Sequence, residues 1–134
     1  MTAQVDIIDV ACIGSGVIGS GWVARFIENG INVNIYDSDP KAEIAVKRTL
    51  ENADAAFANL TSIPRIKKGK ICFKKSIGET VKNVDLIIES VPERLDIKQK
   101  VYEEIEQFCD KLALITSSTS GIMPSELQQK LKYP

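Results

Sequence analysis

The stretch Gly14-Ser15-Gly16-Val17-Ile18-Gly19 decides how the rest of this chain is read. It directly follows residues 7–13, a short apolar run rich in branched side chains, of the kind that forms a buried strand. Beyond it, Ile18, Trp22, Phe26 and Ile27 recur at helical spacing over residues 17–29, and Gly30 stands where a left-handed C-terminal residue belongs. Strand, G-x-G-x-x-G and helix, in that order, give the motif a mechanism. Gly14 permits a tight turn, Gly16 lets the backbone approach a pyrophosphate with no side chain between, and Gly19 lets the helix pack closely on the strand. The helix start offers unpaired N–H groups and the positive end of its dipole to phosphate oxygens. The competing reading is a glycine-rich turn that holds no ligand.

Outward from this point the pattern alternates. Residues 31–36 read as a second strand, and Asp39-Pro40 as an N-cap followed by proline at the first helical position. Ala42, Val46, Leu50, Ala53, Phe57 and Leu60 carry a long helix, and residues 61–70 form a basic loop punctuated by Pro and Gly. Further strands are predicted at 71–73, 84–89 and 112–116, and helices at 77–82, 92–109 and 124–131. Such alternation means a parallel sheet with helices on both faces, a doubly wound α/β domain of the Rossmann type. The 134 residues make one domain, with no internal repeat and no linker.

Asp37 ends the second strand. A carboxylate there accepts hydrogen bonds from the adenosine ribose hydroxyls of NAD and repels the extra phosphate of NADP, and no arginine follows to hold one. The alternative makes Asp37 a turn residue. In parallel sheets, ligands bind beyond the carboxyl ends of the strands, so Glu89-Ser90-Val91-Pro92-Glu93 and Thr116-Ser117-Ser118-Thr119-Ser120 are expected to face the same crevice as the glycine loop. Ser90 and Glu93 also have the S-x-x-E spacing of a helix capping box, and the hydroxyl run also reads as a polar loop.

Composition narrows the function. Lys plus Arg number 17 against 18 Asp plus Glu, a net charge of -1 that advertises no nucleic acid. No apolar run is long enough for a membrane span, and the first residues do not read as a signal peptide. Cys12, Cys72 and Cys109 lie in apolar patterns without C-x-x-C spacing, and there is no histidine, so no metal site is expected. Reduced thiols in the cytoplasm are the simpler reading. Without histidine, a reaction that needs an imidazole base cannot run on this chain alone.

Three stretches carry a family resemblance: GSGVIGSGWVAR from Gly14, ESVPERL from Glu89 and SSTSGIMPSEL from Ser117. In them the chain resembles the N-terminal NAD-binding domain of the 3-hydroxyacyl-CoA dehydrogenase family, and within it most the branch that oxidises L-carnitine. The L-gulonate dehydrogenase and lambda-crystallin group is also similar. The resemblance implies that the backbone from Gly14 through Ser15, Gly16, Val17 and Ile18 to Gly19 holds the pyrophosphate, and that Asp37 holds the adenosine ribose. It places Glu93 near the nicotinamide ribose and Lys98 at the cofactor, although Lys98 also reads as a solvated helix charge. It sets Ser118 where the family has asparagine, and gives Ser120 the hydrogen bond to the oxygen of a small 3-hydroxy acid substrate. It further implies a catalytic histidine, its glutamate partner and a helical domain beyond this chain, a homodimeric parent, and an inactive fragment in isolation. Family members acting on acyl-CoA tend to carry lysine on the second helix, whereas residues 50–60 contain no Lys or Arg. That disfavours CoA unless Arg65, Lys67, Lys68 and Lys70 of the following loop replace it.

Overall fold

A computed structural model describes residues 6–60 and 66–134, so the predicted role of Arg65 falls outside the described residues. Five strands lie in one parallel sheet in the order β3-β2-β1-β4-β5. They are β1 (Asp9–Ile13), β2 (Asn32–Tyr36), β3 (Ile71–Phe73), β4 (Leu86–Glu89) and β5 (Leu114–Ser117). Between and after them run α1 (Val17–Glu28), α2 (Ala42–Leu60), α3 (Ile77–Val81), α4 (Leu95–Phe108) and α5 (Pro124–Leu127). The strand order reverses at β1, between β2 and β4, which is where a doubly wound sheet opens a crevice.

Alternation along β1 builds two cores. Ala11 and Ile13 face a cluster with Ile77, Val81, Val84, Ile87 and Ile105, while Cys12 faces Val23, Ile27, Val33, Ile35 and Val46. Helices α3 and α4 thus cover one face, and α1 and α2 the other. From Val10 to Ile13 the central strand is buried on both faces, as its apolar run there predicts. At the opposite end of the sheet, the Asp85 carboxylate accepts the N–H groups of Ile8 and Asp9 at 2.9 and 3.0 Å. Those two bonds hold it below the usual carboxylate range.

The predicted elements are all present, with shifted ends. Gly30 takes φ +77°, and the Ile31 N–H reaches the Phe26 carbonyl at 3.1 Å, so α1 closes on the left-handed residue expected. Helix α2 begins at Ala42 rather than at Pro40, because Asp39 turns its carboxylate onto the Lys41 N–H and closes a separate turn first. Strand β5 starts two residues late for a similar reason: Asp110 accepts the Leu112 N–H and holds a turn there. The last helix is one turn, ending at Leu127 instead of residue 131. Helix α4 starts at Leu95 instead of Pro92, and this shift matters for the site.

Candidate cofactor site at the carboxyl edge of the sheet

The turn after β1 is held from both neighbouring strands. The Gly14 N–H donates to the Tyr36 carbonyl at 2.9 Å, and the Ser90 N–H to the Ile13 carbonyl at 2.8 Å. Gly14 has φ +86°, and a Cβ there would lie 2.7 Å from the Ser90 carbonyl atoms. A Cβ on Gly19 would sit 2.1 Å from the Gly14 oxygen. Around Gly16, by contrast, nothing comes within 4 Å of a Cβ, so among the three motif glycines it is the one whose missing side chain is matched by open space. That space belongs to a cavity of about 690 Å³ bounded by Gly14 to Gly16, Asp37, Ser38 and Ser90 to Pro92.

Asp37 stands on the cavity rim, where the sequence places it, and it is already engaged. One carboxylate oxygen accepts the Ser15 N–H at 2.7 Å and the Ser15 hydroxyl at 2.9 Å, while the other accepts the Asp39 N–H at 2.9 Å. The acid is therefore tied to the glycine loop, a contact between residues 22 apart that local spacing does not reveal. It also narrows the expected phosphate cradle. The N–H groups of Gly14 and Ser15 are committed to Tyr36 and Asp37. The donors that remain for an anion are those of the first helical turn, from Gly16 through Val17 and Ile18 to Gly19, which no i−4 helical carbonyl can reach. The side chains of Val17 and Ile18 point outward, 93% and 59% exposed, so only their backbone serves the loop. Open space above Gly16, first-turn donors and a carboxylate just after β2 on the cavity rim together fit a dinucleotide.

The expected single crevice divides in two. Ser90, Val91 and Pro92 border the first cavity, but Ser117, Thr119 and Ser120 line a second one of about 680 Å³ with Tyr102 and Ile115. The reason is strand order: β5 pairs with β4, one strand removed from the glycine loop. Ser118 joins the two halves, its hydroxyl 2.8 Å from that of Ser90.

The capping-box alternative does not form. Arg94 caps α4, and Glu93 turns to the loop after β5. There one carboxylate oxygen accepts the Thr119 hydroxyl and the N–H groups of Ser120 and Gly121, at 3.3 and 3.2 Å for the last two. The Thr119 hydroxyl foremost, then those N–H groups and Lys98, hold the Glu93 carboxyl below its ordinary range. Lys98 is not a solvated charge: its side chain is 1% exposed. Its Nζ lies 2.6 Å from Glu89, 3.4 Å from Glu93 and 3.1 Å from the Val91 carbonyl.

Glu89 reads in the sequence only as part of a stretch facing the crevice, with no role of its own, and the structure buries it fully. Besides Lys98 it accepts the Ser117 hydroxyl at 2.5 Å and the Val91 N–H at 2.9 Å. A signal existed: Lys98, Tyr102 and Ile105 follow one inward helical stripe, which calls for a buried anion opposite the lysine. Burial, with the neighbouring Glu89 charge adding to it, pushes the Tyr102 phenol up to about 12.

A family described as 3-hydroxyacyl-CoA dehydrogenase, NAD binding domain, matches residues 9–134. The chain belongs to that family. This NAD-binding domain is 49% identical over 128 residues to an L-carnitine dehydrogenase/betainyl-CoA thioesterase of Rhizobium meliloti (strain 1021), covering 96% of this chain and 26% of the relative. It is 44% identical to an L-carnitine dehydrogenase of Oceanobacillus iheyensis, over 93% of this chain and 41% of that one. The chain thus spans well under half of each of these relatives. Among solved structures it superposes with a TM-score of 0.85 on 5-formyl-3-hydroxy-2-methylpyridine 4-carboxylic acid 5-dehydrogenase, an NAD+-dependent dismutase. The identity is 34%, covering 96% of this chain and 42% of that one. The cofactor is NAD. No helix among the described residues is long and apolar enough to cross a membrane.

The buried Cys12 lies under the glycine loop, its sulfur 3.3 Å from the Gly14 carbonyl. Burial first, and then the Asp37 charge, push its thiol up to about 12 from 9.0. The unfolded chain therefore loses this proton before the folded one does. Stability from this group is complete below pH 9 and is lost as the pH climbs toward 12. Thiol labelling at neutral pH is expected to modify exposed Cys72 first and to spare Cys12 until the chain unfolds. Mass spectrometry of partly labelled protein checks the order, and early labelling of Cys12 would show that the glycine loop opens in the native state.

Proposed function

We propose that this domain is the cofactor half of an NAD-dependent 3-hydroxy-acid dehydrogenase that oxidises L-carnitine to 3-dehydrocarnitine. The observation that carries the reading is the 40–49% identity, over nine-tenths or more of the chain, to proteins named L-carnitine dehydrogenase. Bound in this site, NAD would supply the acceptor for the hydride that leaves the carbinol carbon. The first-turn donors at Gly16 to Gly19 bind the pyrophosphate, and Asp37 receives the adenosine ribose. Glu93, Lys98 and Ser118 orient the nicotinamide end, while Ser120 hydrogen-bonds the substrate oxygen. The general base that takes the hydroxyl proton would be an imidazole. This chain has no histidine, so the reading gives it binding and orientation and leaves proton transfer to the rest of a longer, two-domain, homodimeric and cytoplasmic protein.

The charge pattern supports carnitine over an acyl-CoA. Lys68, one of the loop lysines that could meet CoA phosphates, is ion-paired to Glu28 at 2.7 Å and also to Asp54 of α2. Those two partners hold the ammonium above its ordinary range. The test is turnover by the full-length protein with NAD. L-carnitine is expected to react, and 3-hydroxybutyryl-CoA and L-gulonate to react far less. Turnover of either alternative without carnitine would replace this reading. Asp37→Ala is expected to weaken NAD about tenfold or more and to narrow the preference over NADP, as calorimetric titration reads directly.

A further inference from the structure

We propose that Thr119 is a positioning residue whose hydroxyl fixes the Glu93 carboxylate and the Ser120 loop to one another, so that the nicotinamide end of the cofactor site and the substrate serine move as one unit. The inference rests on the reading that Glu93 meets the nicotinamide ribose. Thr119 is the second residue of the loop after β5. Its hydroxyl donates to Glu93 and accepts the Ile122 N–H at 3.2 Å, while its own N–H donates to the Ser117 hydroxyl at 3.1 Å.

Through Ser117 the same loop is anchored to buried Glu89, and through Glu93 to Lys98. Two carboxylates on either side of one buried ammonium thus grip a single loop at two successive points. The inner grip is fully buried, and Lys98 neutralises its carboxylate at 2.6 Å. The outer grip is half-exposed, and Lys98 stands 3.4 Å from it. Glu93 therefore relies on its hydrogen bonds for a fixed position, and the Thr119 hydroxyl is the only side-chain donor among the three from the loop. The two backbone donors that share Glu93 are those of Ser120 and Gly121. A carboxylate set by Thr119 thereby sets the backbone that presents Ser120. A ribose hydroxyl arriving at Glu93 meets an acceptor already oriented, with no ordering left to be done on binding.

The test compares NAD with ADP, which has the adenosine and pyrophosphate but lacks the nicotinamide ribose. Thr119→Val keeps the shape and removes the hydroxyl. It is expected to weaken NAD about tenfold and leave ADP within about twofold, whereas Thr119→Ser, which keeps the hydroxyl, restores NAD binding. Wild-type affinity of Thr119→Val for NAD overturns the proposal. Equal weakening of NAD and ADP also overturns it, since a general loss of structure would do that. Glu93→Gln separates the underlying reading: unchanged NAD affinity in that variant removes the role of Glu93 and the proposal with it. A weakened Glu93→Gln beside an unaffected Thr119→Val removes the proposal alone. Should Thr119→Val fail to fold, amide spectra of the unaltered protein decide. NAD must shift the Ser120 and Gly121 signals where ADP does not, and silence of both signals toward NAD overturns the coupling.

Discussion

Replacing Lys98 with methionine is expected to remove about 3–5 kcal/mol of folding stability, the usual cost of leaving one member of a buried ion pair without its partner. The side chains of Lys98 and Glu89 are 1% and 0% exposed, and they meet at 2.6 Å. Methionine fills nearly the same volume, so packing changes little and the loss is electrostatic. The Glu89 carboxylate would keep the Ser117 hydroxyl and the Val91 N–H as donors, which are neutral groups that cannot balance a full charge in a site closed to water. Denaturant unfolding measures the loss as a lower midpoint at constant slope. A double variant, Glu89→Gln with Lys98→Met, separates the pair from its members. With no unpaired charge left in the fully buried site, and only half-exposed Glu93 without its cation, it is expected to be more stable than Lys98→Met alone, and a double variant as unstable as the single one would mean that methionine fails by shape.

This pair also marks where the sequence stops being readable. The glycine loop, the alternation of strands and helices and the position of Asp37 all follow from local spacing, because each depends on residues adjacent along one strand–turn–helix unit. The clasp of Glu89, Lys98 and Glu93 joins β4, α4 and the loop after β5. In sequence its members look ordinary: an acid ending a strand, a lysine on an amphipathic helix and an acid with capping-box spacing. The capping box and the clasp compete for the same Glu93 carboxylate. The box offers one backbone N–H, whereas the loop offers two and a hydroxyl beside an ammonium. Tertiary donors prevail, α4 begins at Leu95, and the helix boundary predicted from spacing is displaced. The link from Ser15 to Asp37 is hidden for the same reason, since a serine inside a glycine motif carries no mark of its partner.

Within the motif itself, the glycines are expected to fail in different ways, and the contrast between Gly19→Ala and Gly16→Ala tests the cofactor reading most sharply. A methyl at Gly19 meets the Gly14 carbonyl oxygen at 2.1 Å, backbone against backbone, where no side chain can give way. Either α1 lifts from β1 or the turn is rebuilt. Overpacking of this kind costs about 1–3 kcal/mol, and the upper end applies to a rigid contact. NAD binding should be lost along with stability. Gly16 is different, because its methyl would enter open space beside the cavity. As Gly16 is the N-cap of α1, alanine there costs only about 0.5–1 kcal/mol of helix stability. If the pyrophosphate lies against that backbone, the same methyl occupies the space the phosphate needs, and NAD affinity should fall about a hundredfold in a protein that melts almost normally. Thermal unfolding and calorimetric titration of the two variants decide it. A Gly16→Ala protein that binds NAD as the parent does would move the pyrophosphate away from the glycine loop. Stability lost at Gly19 and binding lost at Gly16 would assign the first glycine to the packing of the fold and the second to the ligand.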